Sequence, residues 1–131
     1  MSAQNDFSIH DYAGFLRYEE ANKALGLPSA DEKRVVFMGN SITEAWVNYS
    51  PNFFSDNNYI GRGISGQVTH QMLIRFRADV IALKPKLVVI LAGTNDIAQN
   101  SGPVSIEEVA DNIKSMAEMA LQNNIEVIIC S

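Results

Sequence analysis

The stretch RVVFMGNSITEAW, residues 34–46, decides how the rest of the chain is read. An apolar run over residues 35–38 leads through Gly39, Asn40 and Ser41 directly into a segment of helical composition. A strand that passes into a helix through a tight polar turn is the repeating unit of a parallel sheet with crossover helices.

Working outward, three more short apolar runs read as buried strands: a weak one around Tyr59 and Ile60, and stronger ones over residues 87–92 and 125–130. Helical periodicity lies between them, at Val68, Met72, Phe76, Val80 and Leu83, and again at Ile106, Val109, Ile113, Met116 and Ala120. Ser105 and Glu108 have the spacing of a capping box at the head of the second pattern. Before the first strand, residues 7–27 carry Phe7, Tyr12, Phe15, Leu16, Tyr18, Leu25 and Leu27 among charges, a helical preamble that ends near Gly26 and Pro28. Strands alternating with helices predict an α/β domain, a three-layer αβα sandwich around a parallel sheet, with residues 1–30 packed against its body. No repeat or long linker divides the chain, so one domain is expected.

The composition fits that class. The 131 residues are 47% hydrophobic and 19% charged, which is enough for a packed core. Net charge is −5 and no Lys/Arg cluster interleaves with aromatics, so neither nucleic acid nor an anionic membrane surface is expected as a partner. The apolar runs are far too short to span a bilayer. Cys130 is the sole cysteine, which rules out an internal disulfide and reads as a small strand residue. The start MSAQNDF has no leader pattern, and the compartment stays open: secreted or periplasmic if a leader has been removed, cytoplasmic otherwise.

In parallel sheets of this kind, ligands sit beyond the carboxyl ends of the strands, where the strand-to-helix turns converge. Three turns there are polar or glycine-rich: residues 39–41 (GNS), 61–66 (GRGISG) and 93–96 (GTND). Ser41 stands three residues before Glu44 and fits a capping box, a feature that stabilises a helix by about 1 kcal/mol. Capping explains Ser41 but leaves the other two turns without a purpose. Gly66 alone reads as a turn residue that needs positive φ, and Asn95 and Asp96 alone read as Asx-turn residues. All three falling after successive strands points to a shared site.

In that order and spacing, the three turns resemble the blocks of the SGNH hydrolases, also called GDSL-type esterases. The resemblance covers residues 35–97 and implies a flavodoxin-like parallel sheet. It makes Ser41 the nucleophile, with Asn40 standing where the family has aspartate, and it places oxyanion-hole donors at Gly66 and Asn95. FMGNSITEAW and GRGISGQ are most similar to the subgroup acting on acetyl esters, which includes carbohydrate acetylesterases and relatives of platelet-activating-factor acetylhydrolase. The implied reaction is hydrolysis of a small acyl ester through an acyl-serine intermediate, with no metal or organic cofactor. The implied partner is a small-molecule or carbohydrate ester. Asn40, Arg62, Gln67, His70, Trp46 and Asp96 are candidates to line the cleft, with packing or surface roles equally open for the last five.

The chemistry stands on its own terms. Attack on an ester carbonyl creates an oxyanion, which needs preset donors; the Ser41 N–H at a helix N-terminus, the Gly66 N–H and the Asn95 amide are of the right kind. A serine also needs a base. The resembled family draws it from a late Asp-x-x-His block, and that pattern occurs nowhere in these residues. His10, beside Asp11, reads as a surface imidazole, and His70 as a solvated helix residue near the rim, neither with a carboxylate at the expected spacing. The run over 125–130 would also form a strand lacking the helix and strand that should cover it. The expectation is therefore a fragment of a longer enzyme whose remaining C-terminal part carries Asp and His. The alternative is a non-catalytic module that binds a carbonyl or an anion.

Overall fold

A computed structural model describes residues 7–131. Residues 1–6, the first part of the expected preamble, lie outside the described residues. In chain order the elements are α1 (Ile9–Ala13), α2 (Glu19–Leu25), β1 (Val35–Gly39), α3 (Ser41–Tyr49), α4 (Pro51–Ser55), β2 (Tyr59–Gly63), α5 (Thr69–Asp79), β3 (Leu87–Leu91), α6 (Thr94–Ile97), α7 (Ile106–Gln122) and β4 (Glu126–Ile129). A short 3-10 turn, Ile81–Leu83, joins α5 to β3.

The strands form one sheet in the order β2-β1-β3-β4, with every neighbouring pair parallel. Crossovers between parallel strands are right-handed, which puts α5 and α7 on one face and α3 and α4 on the other. On the first face Val36, Met38, Val88 and Ile90 pack against Met72 and Phe76 of α5 and Met116 and Ala120 of α7, all of them buried. On the second, Phe37 meets Trp46, Phe54 and Tyr59, each with ring centroids 5.3 Å away. Each fully buried Val, Ile, Met or Phe among them contributes about 1.5–3 kcal/mol. The expected three layers are present.

Register aligns the ends of the strands. Gly39 of β1 pairs with Gly63 of β2 and with Leu91 of β3, so three strands finish level with one another and their following turns rise together. β2 runs further than its weak apolar signal suggests: Gly61–Gly63, expected as part of a turn, belong to the strand. The cause is close packing by α3. A Cβ on Gly61 would collide with Val47 Cγ2, and one on Gly63 with the Glu44 nitrogen and, at 2.6 Å, the Asn40 carbonyl oxygen. The glycines are there for the helix that rests on them.

The preamble forms two short helices rather than one, because Gly14 takes the left-handed conformation (φ 75°) and ends α1. It is tied to the body by polar bonds. Tyr18 Oη donates to the Gly63 carbonyl at 2.6 Å, and Gln71 Nε2 donates to the Tyr12 carbonyl at 2.8 Å. At the other side of the sheet β4 is an edge strand, with Ile128 and Ile129 49% and 52% exposed, the open apolar edge that its sequence predicts. Among the described residues no helix is long and apolar enough to cross a membrane.

Candidate active site

The turn after β1 settles what Ser41 is free to do. Asn40, 1% exposed, caps α3: its Oδ1 accepts from the Ile42 N–H at 3.2 Å. Ser41 is therefore the first residue inside the helix, and the Ser41–Glu44 capping box does not form. Asparagine caps as well as serine, and it reaches the N2 position from one residue earlier. Glu44 pairs with Arg17 instead, at 3.5 Å. Ser41 is exposed, and its hydroxyl makes no hydrogen bond among the described residues. Its backbone N–H lies at the positive end of a nine-residue helix.

The second turn follows β2. The Ile64 N–H donates to the Gly39 carbonyl at 3.1 Å, and the Gln67 N–H closes a β-turn on the Ile64 carbonyl at 3.3 Å. Gly66 occupies the third position of that turn with φ 79°, the geometry of a type II turn, which demands glycine. A Cβ there would meet nothing within 4 Å, so backbone conformation alone selects the residue. The Gly66 N–H is not consumed by the turn and takes no partner among the described residues.

The third turn follows β3, with Gly93 at φ 111° and the short α6. Asn95 Nδ2 donates to the Gln67 carbonyl at 3.0 Å, and Asn95 Oδ1 accepts from Asn100 Nδ2 at 2.9 Å. A primary amide carries two N–H donors, and only one is spent on Gln67. Asp96, 1% exposed, accepts from the Thr69 N–H at 3.0 Å and from Thr69 Oγ1 at 2.6 Å. Its carboxylate thus sits against the N-terminus of α5, where a helix dipole favours negative charge. Cross-links join all three turns: Asn40 Nδ2 to Thr94 Oγ1 at 2.8 Å, Asn95 to Gln67, and Ile64 to Gly39.

The remaining candidates divide by burial. Asn40, Arg62, Gln67 and Asp96 are all at most 6% exposed, and their side chains bond to other parts of the protein. Arg62 donates from Nε to Asn22 Oδ1 at 2.9 Å and lies over the Tyr18 ring at 4.7 Å, away from the nucleophile turn on the preamble side. Burial pushes its guanidinium below the usual arginine range, against the opposing charge of Asp79. Trp46 stacks on Phe53 at 5.2 Å within the aromatic layer. His70 is part-exposed near the start of α5, 38% by its side chain. It lines a hollow of about 230 Å³ with Val68, Asp96, Pro103 and Val104, and its Nε2 is 3.5 Å from Glu108 Oε1. Glu108 thus faces His70, while Ser105 caps α7 by accepting the Glu108 N–H at 3.1 Å. His10 is on α1, edge-on to Phe15. Neither histidine is bonded to Ser41.

A larger hollow, about 560 Å³, lies between α2 and α3 against Tyr18, Leu25, Val47 and Ile60 and includes none of Ser41, Gly66 or Asn95. Among the described residues no cluster of His, Cys, Asp or Glu has the arrangement of a metal site. Sequence reasoning passed over Thr94, Tyr18 and Arg75, which hold the turns from behind. Arg75 left a signal, a charge in the middle of the apolar stripe of α5 four residues before Asp79.

Chemically, the arrangement offers an uncommitted hydroxyl on a central strand's turn and unspent N–H donors on the turns of the two flanking strands. The model of the GDSL-like lipase/acylhydrolase family matches residues 37–131. The chain superposes on a Bacteroides fragilis NCTC 9343 protein assigned as an acylhydrolase with a TM-score of 0.89 at 56% identity, covering 91% of this chain and 57% of that one. It superposes on a GDSL-like lipase from Bacteroides thetaiotaomicron VPI-5482 with a TM-score of 0.88 at 57% identity, covering 90% and 58%. An uncharacterised Bacillus subtilis lipoprotein, YqeF, is 31% identical over 90 residues, 66% of this chain and 37% of that one. The chain thus spans little more than half the length of the two structures it matches. It has the α/β fold of the SGNH hydrolases, and it belongs to the GDSL-like lipase/acylhydrolase family.

Proposed function

We propose that the protein is a serine esterase in which Ser41 is the nucleophile and the Ser41 N–H, the Gly66 N–H and the Asn95 side-chain amide form the oxyanion hole. The observation that carries this reading is the cross-linking of the turns. Bonds from Asn40 to Thr94 and from Asn95 to Gln67 fix Ser41 and both candidate donors relative to one another while leaving their reactive groups unspent.

Ser41 Oγ attacks the ester carbonyl, and the carbonyl π electrons move to oxygen, where the three donors receive the charge. Collapse expels the leaving oxygen, which takes from the base the proton that left Ser41 and departs as the alcohol, and the acyl-serine that remains is hydrolysed by water through the same geometry. Such donors act because they are oriented before charge appears, each supplying about 3 kcal/mol. The proton leaving Ser41 needs an acceptor within hydrogen-bond reach. We assign that base to an Asp-x-x-His segment in the additional length that the matched structures possess, so that residues 1–131 alone bind an ester carbonyl without turning it over. Small acyl groups, acetyl first, and carbohydrate alcohols are the substrates that the resemblance of FMGNSITEAW and GRGISGQ favours.

The test is p-nitrophenyl acetate hydrolysis by the longest native form of the protein and by residues 1–131, with Ser41→Ala as control. A burst of p-nitrophenol in the long form that vanishes in the alanine variant supports the esterase. A flat trace from the long form supports a non-catalytic binding module instead.

A further inference from the structure

Gln67 was a candidate to line the cleft, yet it is 4% exposed and every polar group it owns is engaged. Its backbone carbonyl holds Asn95 Nδ2 at 3.0 Å, and its N–H closes the turn that aims Gly66. Its side chain is clamped at both ends: Nε2 donates to the Ala13 carbonyl at 2.8 Å, and Oε1 accepts from Arg75 Nε at 2.7 Å. Arg75, 0% exposed, divides its fork among three elements. Besides Gln67 it donates to Asp79 Oδ2 at 3.0 Å and to the carbonyl of Gly39, the last residue of β1, at 3.2 Å.

We propose that Gln67, locked by Arg75, is the positioning residue that sets the distance from the nucleophile turn to both oxyanion donors. The inference deepens the esterase reading and rests on it for its catalytic meaning. Gln67 belongs to the Gly66 turn by covalent neighbourhood and to the Asn95 turn through its carbonyl. Arg75 connects that hub to the strand end that bears Ser41. A guanidinium is planar with donors in fixed directions, so its three acceptors cannot move independently. Asp79 supplies the counter-charge that a buried cation requires, and it is held in turn by Asn22 Nδ2 at 2.8 Å. Burial pushes the Arg75 guanidinium below its ordinary range, and Asp79 opposes that shift through its charge and its hydrogen bond. None of these groups needs to touch substrate.

The experiment compares Gln67→Met, Gln67→Glu and Arg75→Lys in the longest native form of the protein, following acetyl-ester kinetics and thermal melting. Methionine fills the volume and loses both clamps, so kcat falls by about 10- to 100-fold, the scale of a misplacement near 1 Å. KM stays within about threefold, because the donors act on the transition state. Glutamate still accepts from Arg75 Nε but cannot donate to the Ala13 carbonyl, so it restores turnover only in part, and Arg75→Lys, which keeps the charge but not the fork, behaves like Gln67→Met. Wild-type kcat in a folded Gln67→Met variant, or in a folded Arg75→Lys variant, overturns the proposal. If Gln67→Met does not fold, the kcat of Arg75→Lys decides on the same criterion. An inactive wild type removes the esterase reading, and the strut is then read from 15N spectra. The Gly66 N–H and Asn95 side-chain resonances move in Gln67→Met and in Arg75→Lys; fixed resonances in both refute it.

Discussion

Asn40 Nδ2 donates to Thr94 Oγ1 at 2.8 Å while Asn40 Oδ1 accepts from the Ile42 N–H, so one buried amide both starts α3 and joins the first turn to the third. An aspartate in the same place keeps the cap, and the Thr94 hydroxyl can rotate to donate to it. The added charge loses by desolvation, which the N-terminus of α3 and the two hydrogen bonds it accepts, from the Ile42 N–H and the Thr94 hydroxyl, together offset. Asn40→Asp is therefore expected to change unfolding free energy by less than about 1 kcal/mol and to leave turnover within a few-fold. Asn40→Ala loses both bonds and should cost about 2 kcal/mol in urea unfolding, near the upper end for a helix cap.

Asn95→Ala separates catalysis from folding. Its side chain makes two hydrogen bonds, to Gln67 and from Asn100, at a partly buried and an exposed position. Their loss should lower stability by about 1 kcal/mol. If the second Nδ2 hydrogen meets the oxyanion, kcat falls by about 100- to 1,000-fold. Parallel urea unfolding and ester kinetics check the pair of values; a proportionate loss in both would leave Asn95 a purely structural residue.

Gly63→Ala and Gly66→Ala should fail in opposite ways. A Cβ on Gly63 strikes backbone atoms of Glu44 and Asn40, which cannot yield without lifting α3 from the sheet. The expected result is a folding defect of about 3 kcal/mol. A Cβ on Gly66 meets open space, and its cost is the left-handed conformation, about 1–2 kcal/mol. The turn can relax that strain only by re-aiming the Gly66 N–H. Gly66→Ala should thus melt several degrees below wild type but well above Gly63→Ala, and lose turnover out of proportion, measured by calorimetry beside the acetyl-ester assay.

These contrasts mark how far the sequence could be read. Apolar runs located the two interior strands, β1 and β3, since strands covered on both faces advertise themselves by continuity, whereas the edge strand β2 was only weakly marked. The helix ends were less visible. The apolar period from Val68 continues to Leu83, yet α5 stops at Asp79, because Val80, Ile81 and Leu83 are buried by a 3-10 turn that closes at Lys84 in the left-handed conformation. Asn40 and Ser41 are both good caps in adjacent positions, and only the end of β1 at Gly39 decides between them. The motif-bearing residues were legible because function needs particular atoms there. Their supports, Thr94, Arg75 and Tyr18, act on the turns through partners 36 to 54 residues away, and of the three only Arg75, four residues before Asp79 on one helix, left a local trace.

Tyr18 offers a prediction in pH. Its hydroxyl donates to the Gly63 carbonyl at 2.6 Å, and burial raises its pKa above the ordinary 10.0, with Arg17 only partly offsetting that shift. Because the folded-state pKa exceeds the unfolded one, the folded protein holds the phenolic proton more tightly. The stabilisation is whole below the unfolded value of 10.0 and is lost as pH rises from there through the folded value. Tyr18→Phe removes both the bond, worth about 1 kcal/mol, and the titrating group. The variant should be less stable than wild type at pH 8, and the gap should narrow steadily above pH 10, where only the wild type loses this contribution. Urea unfolding at intervals from pH 8 to beyond 10 reads the difference. A gap that stays constant across that range would place the phenol in ordinary solvent and detach the preamble from the end of β2. That would also remove one of the tethers by which α1, α2 and the connection between them brace the Gly66 turn.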